Sequence, residues 1–94
     1  MKKTSIIIPT LNRALSLKKC IESIFKTTAS EQAQQNEIIV IDASDNDDSK
    51  LVCMDFKDVK YIKSPVKNIP TQRNIGIRAS SGEIVIFLDD DDRN

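Results

Sequence analysis

The chain has 94 residues, with 14 basic and 14 acidic side chains, two cysteines and no histidine. This length suits one domain with a modest core, and a formal net charge of zero gives no overall field that would favour nucleic acid or an anionic membrane. The absence of histidine excludes imidazole catalysis and His-ligated zinc within the chain. Two cysteines without a CxxC spacing predict neither a disulfide framework nor a thiolate metal site, and no apolar segment is long enough to span a bilayer. A reduced, cytoplasmic setting is therefore expected.

The first half of the chain predicts a strand, a helix and a second strand. Residues 4–8, with three consecutive isoleucines at 6–8, predict a buried strand, and Pro9 is expected to end it because proline has no N–H for a central ladder. An amphipathic helix is predicted from residue 14 to about residue 28, since its apolar residues recur at helical spacing. After a polar loop, residues 37–41 predict a second buried strand that ends at Asp42.

The second half repeats this alternation. A turn-rich stretch at 43–49 precedes a weakly patterned helix at 49–56, and residues 59–62 predict a short edge strand because Lys60 interrupts its apolar residues. Pro70 can open a helix that runs to about residue 79 and ends before Gly82. Gly76 lies inside this helix, where glycine is unfavourable, so we expect close packing there. The apolar run at 83–88 predicts a last strand, buried on both faces.

Alternating strands and helices predict a parallel sheet with right-handed crossovers. The predicted fold class is therefore α/β, a small Rossmann-like sheet of four mostly parallel strands with helices on both faces, in one domain over residues 1–94. The loops at 9–13, 42–48 and 89–92 follow three strands at their carboxyl ends, where open α/β sheets bind ligands. We expect these loops to cluster.

The last strand runs directly into four aspartates at 89–92. Neighbouring carboxylates repel one another, so such a run is expected either to face water or to bind a hard cation such as Mg²⁺, Mn²⁺ or Ca²⁺. Six of the residues from 57 to 78 are basic, and this stretch lies between two acidic loops. A basic segment between two acidic loops suits an anionic ligand that is held partly through a metal. The alternative is that the aspartates at 89–92 simply form a solvated acidic loop.

Three other classes of α/β protein do not fit. An apolar strand that ends in Asp-Asp is also found in nucleoside triphosphatases, but the chain has no glycine-rich GK[ST] loop. A phospho-acceptor receiver domain would have an acidic pair after the first strand, where this chain has Pro9 and Thr10. A dinucleotide-binding domain would have GxGxxG at that place, which is absent.

Four motifs carry a resemblance to a known family. SIIIPTLNR at 5–13, EIIVID at 37–42, RNIGI at 73–77 and FLDDD at 87–91 occur in this order. They resemble, in turn, the opening, the second strand, the helix that leads into the metal-binding strand, and the Asp-x-Asp motif of family 2 glycosyltransferases with the GT-A fold. The resemblance covers essentially the whole chain, and it implies a nucleotide-diphosphate sugar donor, with a UDP-sugar favoured, and Mn²⁺ or Mg²⁺ as cofactor.

The resemblance also implies roles for individual residues. Asp42 matches the acid that contacts the base or ribose, and Arg73 matches a basic position near the nucleotide. Family members often have a second acid after Asp42, where this chain has Ala43, and Asp45 is a possible substitute. The first-loop residues that match the lining of the nucleotide pocket are Pro9, Thr10, Asn12 and Arg13. Of the terminal acids, Asp89 and Asp91 match the metal-binding pair, with Asp91 as the direct ligand, and Asp89 or Asp90 matches the contact to ribose or metal-bound water.

No residue of this chain matches a catalytic base. The resemblance implies that the chain is the N-terminal, donor-binding half, that the acceptor half is absent, and that the 94 residues alone are inactive. In the full-length enzyme the resemblance implies an inverting transfer to an acceptor hydroxyl, with an unidentified glycan or lipid-linked sugar as acceptor. It also implies a role in polysaccharide biosynthesis and a cytoplasmic or peripheral membrane setting. Self-association through an exposed sheet edge is expected, and nucleic acid is not an expected partner. A non-catalytic nucleotide- or metal-binding module of the same fold is the alternative.

Overall fold

A computed structural model describes residues 3–27 and 36–90. Strands and helices alternate along the chain, as the sequence predicts. In chain order they are β1 (Thr4–Thr10), α1 (Ala14–Thr27), β2 (Asn36–Asp42), α2 (Asp48–Met54), β3 (Val59–Lys63), α3 (Ile69–Ala79) and β4 (Ile84–Phe87). Within the two described ranges, no helix combines the length and the apolar character needed to cross a membrane.

The four strands form one sheet in the order β3-β2-β1-β4, and every neighbouring pair is parallel. This confirms the predicted parallel α/β sheet and the edge position of β3. From β1 the chain adds β2 and β3 on one side and then returns to add β4 on the other side. The winding direction therefore reverses between β1 and β4, which makes that gap the switch point of the sheet.

Helices cover both faces of the sheet, as predicted. Side chains alternate between the faces along each strand, so β1 and β2 each contribute to two separate cores. The core on the α1 and α2 side contains Ile6, Ile8, Leu17, Ile21, Ile24, Ile38, Val40 and Cys53. The core on the α3 side contains Ile7, Ile39 and Ile41, with Ile62, Ile75, Ala79 and Val85 packed against it.

Helix α3 lies very close to β1. Its first turn is capped by Asn68, whose side chain accepts a hydrogen bond from the Thr71 N–H at 2.9 Å, and Pro70 occupies the first turn as expected. At Gly76 a Cβ atom would lie 2.4 Å from Cγ2 of Ile7, a buried residue of β1. The prediction that Gly76 marks close packing is confirmed, because no larger side chain fits at this distance.

The predicted end of the first strand at residue 8 is wrong. Strand β1 continues through Pro9, which pairs with Ile41, to Thr10. Odd-numbered residues of β1 direct their backbone groups toward β4, as the hydrogen bond from the Leu88 N–H to the Ile7 carbonyl shows. Since β4 ends at Phe87, a donor at position 9 would have no strand partner, and proline is tolerated in a central strand.

The prediction that the last strand is buried on both faces is also wrong. Strand β4 has four residues and is an outer strand of the sheet that the described residues form. Ile84 and Ile86 are each 44% exposed. Ile86 pairs with Ile6 and so lies on the α1 side of the sheet, whereas Val85 packs against the core on the α3 side. The predicted self-association through this edge stays a prediction.

Candidate functional site

The loops that follow β1 and β2 are joined at the carboxyl edge of the sheet. The Ala43 N–H donates to the Thr10 carbonyl at 3.0 Å, and the Asn12 N–H donates to Ser44 Oγ at 2.7 Å. The end of β4 joins the same cluster, because the Thr10 hydroxyl donates to Oδ2 of Asp90. For the described residues, the predicted convergence of three strand ends is confirmed.

A cleft of about 290 Å³ opens at the switch point between β1 and β4. Its walls come from the end of β1, from the start of α3 and from the two acids that follow β4. The residues that line it are Pro9, Thr10, Leu11, Arg13, Ile69, Asp89 and Asp90. Five of the predicted site residues (Pro9, Thr10, Arg13, Asp89 and Asp90) are therefore brought together in one cleft.

The two acids of the cleft have different environments. Asp89 is exposed, whereas Asp90 is buried and only 8% exposed. Burial raises the pKa of Asp90, although the hydrogen bond from Thr10 and the charge of Arg13 partly oppose this effect. Asp90 is therefore a carboxylate whose charged form is partly desolvated, and a cation in the cleft would stabilise that form.

The chemistry of this pair fits a hard divalent cation. Mg²⁺ and related ions are commonly held by one or two carboxylates together with phosphate oxygens of a substrate, and Asp89 and Asp90 place two carboxylates on the cleft wall. Within residues 3–27 and 36–90, no group of three or more acidic, cysteine or histidine side chains is arranged to bind a metal by itself. Asp91, the predicted direct ligand, lies outside the described residues.

Asn12 joins two loops and does not line the cleft. Its backbone adopts a left-handed conformation with φ of 54°, which asparagine tolerates better than most residues. Its side chain donates to Oδ2 of Asp45 at 3.0 Å and accepts from the Asp45 N–H at 2.9 Å. Asp45 also pairs with Lys67, and Lys67 and Asn12 together lower the pKa of Asp45.

Asp42 is fully buried and does not reach the cleft. Its Oδ1 accepts from the Ser44 N–H at 2.9 Å, and its Oδ2 accepts from the Tyr61 hydroxyl at 2.6 Å. Both carboxylate oxygens are thus engaged by the protein itself. Its predicted contact to a base or ribose stays a prediction, and a ligand would have to displace one of these partners to make it.

Arg73 lies beside the cleft without lining it. Its Cζ is 5.4 Å from the ring centroid of Phe87, a cation–π contact with β4. Its Nε is buried and has no hydrogen-bond partner among the described residues. Arg73 follows Ile69, a lining residue, by one helical turn. Its predicted contact to phosphate or a carbonyl stays a prediction.

Sequence reasoning missed two residues that build the site. Gln72 is fully buried, and its Nε2 donates to the Thr10 carbonyl at 3.2 Å and to the Ile41 carbonyl at 3.0 Å. A signal for Gln72 was available, because it shares the packed helix face with Gly76. The other residue is Tyr61, whose contact to Asp42 joins two strands, and no local pattern indicates it.

The comparisons with known proteins agree with this architecture. The sequence profile of the family described as "Glycosyl transferase family 2" matches residues 5–94. The chain belongs to glycosyl transferase family 2. Its fold is the GT-A fold of that family, so the parallel sheet and the cleft at its switch point belong to a glycosyltransferase domain.

Two relatives match nearly the whole chain. A Campylobacter jejuni protein named GalNAc(5)-diNAcBac-PP-undecaprenol beta-1,3-glucosyltransferase is 41% identical over 98% of this chain and 30% of its own length. The Staphylococcus aureus poly(ribitol-phosphate) beta-N-acetylglucosaminyltransferase TarP is 35% identical over 98% of this chain and 29% of its own length. This family 2 chain thus spans about three tenths of the length of these relatives.

Solved structures support the fold. The mannosyltransferase PcManGT from Pyrobaculum calidifontis, solved with GDP-Man and Mn²⁺, superposes with a TM-score of 0.81 at 20% identity, over 96% of this chain and 28% of that one. Glucosyl-3-phosphoglycerate synthase from Mycobacterium tuberculosis, solved with Mn²⁺, UDP and phosphoglyceric acid, superposes with a TM-score of 0.68 at 24% identity, over 96% of this chain and 33% of that one. At these identities the likeness establishes the fold alone.

Proposed function

We propose that this chain is the donor-binding part of a glycosyltransferase and holds the diphosphate of a nucleotide sugar through a divalent cation. The observation that carries the proposal is the cleft at the switch point, where the Thr10 hydroxyl joins the end of β1 to Asp90 after β4. A cleft at this place is where open α/β sheets bind nucleotides.

The walls of the cleft are suited to an anion and a metal together. Asp89 and Asp90 supply carboxylates for the cation, with Asp91 as a further ligand, and Arg13 supplies a positive charge in the same cleft. When bound, the cation would neutralise the charge that develops on the leaving diphosphate. Thr10 holds Asp90 in place, so the carboxylate does not have to be ordered when the ligand binds.

The named relatives and neighbours guide the choice of ligand. The two solved neighbours contain Mn²⁺ with GDP-Man in one case and with UDP in the other, which supports a metal-dependent nucleotide site here and leaves the base open. A UDP-sugar donor, an inverting transfer to an acceptor hydroxyl, and a cytoplasmic or peripheral membrane setting are part of the proposal for the whole protein.

Nucleotide titration with and without Mn²⁺ tests the proposal. UDP and GDP are titrated into the 94-residue chain, and binding is followed by calorimetry and by backbone NMR. We expect Mn²⁺ to strengthen the binding of one of these nucleotides by at least tenfold, since a divalent cation on a diphosphate commonly contributes more than about 1.4 kcal/mol. In the NMR titration the diamagnetic Mg²⁺ replaces Mn²⁺, whose unpaired electrons would broaden nearby amide signals, and shifts are expected at the amides of Thr10 and Asp90, which lie on the cleft.

A matched pair of variants separates the site from general charge effects. Asp89→Asn removes an exposed carboxylate of the cleft and should abolish the Mn²⁺ effect. Asp58→Asn removes an exposed carboxylate next to the start of β3, at the opposite end of the sheet, and should leave the effect intact. Nucleotide binding that ignores Mn²⁺ in all three proteins would refute the proposal and favour a non-catalytic module of the same fold.

A further inference from the structure

The buried carboxylate of Asp42 is the starting point of a chain of hydrogen bonds. Its side chain is 0% exposed, so a missing partner could not be replaced by bulk water. Tyr61 supplies the hydroxyl at 2.6 Å from strand β3, and Ser44 supplies the N–H at 2.9 Å from the loop after β2. Each of these donors holds one of the two carboxylate oxygens, and the carboxylate in turn holds the Ser44 N–H.

Ser44 passes this constraint to the first loop. This residue is 4% exposed, and its Oγ accepts a hydrogen bond from the Asn12 N–H at 2.7 Å. The same Oγ lies 3.4 Å from Oγ of Ser49, and the Ser44 carbonyl accepts from Nζ of Lys63. Ser44 is thus held at three atoms. One of them, its N–H, is bonded to Asp42, and another, its Oγ, is bonded to Asn12, so a displacement of Asp42 would also displace Asn12.

Asn12 is the residue of the first loop that most needs such support. Its left-handed backbone costs an L-residue roughly 1–2 kcal/mol relative to the right-handed region, and the Ser44 hydroxyl holds its N–H. The residues on either side, Leu11 and Arg13, both line the cleft. The conformation at Asn12 therefore sets where the cleft wall lies.

We propose that Tyr61 is a positioning residue of the donor site. It acts through Asp42 and Ser44 to hold the backbone of Asn12, and so the cleft wall, although it lies on the outer strand β3 and does not line the cleft. This inference rests on the proposed function, because the cleft is taken to be the donor site. It assigns the buried Asp42 an organising role within the free protein.

The experiment uses Tyr61→Phe, which removes only the hydroxyl. Two quantities are measured: the affinity for UDP in the presence of Mn²⁺, or for GDP if that nucleotide binds, and the backbone amide shift of Asn12. The control is Ile62→Val, at the next residue of β3, whose side chain packs on the α3 side of the sheet. Urea unfolding of each variant provides the stability against which the affinities are compared.

We expect Tyr61→Phe to weaken nucleotide binding roughly five- to tenfold, and to shift the Asn12 amide. The full loss of one hydrogen bond to a charged group corresponds to more than about tenfold, and only part of it reaches the cleft because Tyr61 acts indirectly. Ile62→Val should lower stability without either change. Ser44→Ala interrupts the same chain, so adding Tyr61→Phe to it should cause little further loss of affinity. An unchanged Asn12 amide, equal affinity losses in Tyr61→Phe and Ile62→Val, or independent losses in the double variant would each overturn the inference.

The two proposals fail separately. A wild-type chain that binds no nucleotide, with or without Mn²⁺, refutes the proposed function. The response of the Asn12 amide to Tyr61→Phe does not depend on nucleotide, and its absence would overturn the positioning role even if nucleotide binding is intact.

Discussion

The environment of the Glu37 carboxylate leads us to expect that the folded protein loses stability measurably in acid. It lies near the start of β2, where Oε1 accepts hydrogen bonds from Ser5 Oγ at 2.7 Å and from the Ser81 N–H at 2.9 Å. Lys60 lies 3.6 Å from Oε2. Burial alone would raise its pKa, but the Ser81 and Ser5 hydrogen bonds and the charges of Lys3 and Lys60 outweigh burial and lower the pKa from 4.5 to about 2.

The sign and size of the effect follow from this lowering. Because the folded pKa lies below the unfolded pKa, the contribution of Glu37 to stability is present above about pH 4.5 and is lost as pH falls toward about 2. The full difference corresponds to about 3 kcal/mol at 1.36 kcal/mol per pKa unit. The Glu37 side chain is 13% exposed and that of Lys60 is 53% exposed, so screening of the lysine contribution reduces the expected value to about 2 kcal/mol.

The assay is urea unfolding of the wild type and of Glu37→Gln from neutral pH down to about pH 3. We expect Glu37→Gln to be less stable than the wild type at neutral pH by about 2 kcal/mol, and the gap should narrow as pH falls below 4.5. Glu83→Gln makes the same charge change at an exposed residue and is the control. Parallel curves of unfolding free energy against pH for the wild type and Glu37→Gln would refute this reasoning, because protonation of the carboxylate would then have no effect on stability.

Three further predictions concern α3 and the tyrosine. Gly76→Ala should destabilise the fold by up to about 2 kcal/mol, since overpacking against Ile7 exceeds the gain of about 1 kcal/mol in helix propensity. Asn74→Ala, at an exposed position of the same helix, should not destabilise it in the same unfolding assay. Gln72→Met keeps the volume but leaves two strand carbonyls without this donor, so urea unfolding should show a loss of about 1–2 kcal/mol. Tyr61 is the only tyrosine, and burial and its carboxylate partner Asp42 raise its pKa. In a pH titration, tyrosinate absorbance should therefore appear above the pH range in which an ordinary tyrosine ionises. The stability that Tyr61 contributes below about pH 10 should be lost as pH rises through the folded pKa.

Local patterns were sufficient to predict the elements and their order. The apolar residues of α1 recur at helical spacing, and the short apolar runs of β1 and β2 end in turn-forming residues, so each element follows from its own stretch of sequence. Parallel pairing follows from the alternation, because each crossover contains a helix. Gly76 indicated a close approach for a local reason too, since glycine is unfavourable inside a helix.

The two errors of fold prediction concern the surroundings of a strand. Pro9 was expected to end β1, but whether a strand tolerates proline depends on which neighbour would use its N–H, and β4 does not extend that far. The run before Asp89 was expected to be buried on both faces, but burial depends on which elements lie over the strand. Ile84 and Ile86 are apolar and exposed for that reason. The composition of a strand indicates neither which neighbouring strand pairs with it nor which elements cover it.

The sequence was sufficient to predict which loops form the cleft, but not which hydrogen bonds hold the site together. Motif positions after β1 and β4 supplied five of the seven residues that line the cleft, because the carboxyl ends of parallel strands meet at one edge. Asp42 is buried against Tyr61, a residue 19 positions away on a neighbouring strand, and no local pattern indicates this contact. Only the pairing of β2 with β3 brings these two side chains together.

Helix α3 links the packing of the sheet to the shape of the cleft. Ile69, Gln72 and Gly76 follow one another at spacings of three and four residues, so they lie along one stripe of the helix. Gly76 lets the helix approach Ile7, Gln72 one turn earlier binds the ends of β1 and β2, and Ile69 forms part of the cleft wall. The reach of Gln72 to both strand carbonyls depends on the close approach at Gly76. A side chain at position 76 would therefore lengthen the Gln72 hydrogen bonds and move the cleft wall, so loss of stability and loss of nucleotide affinity should occur together in Gly76→Ala.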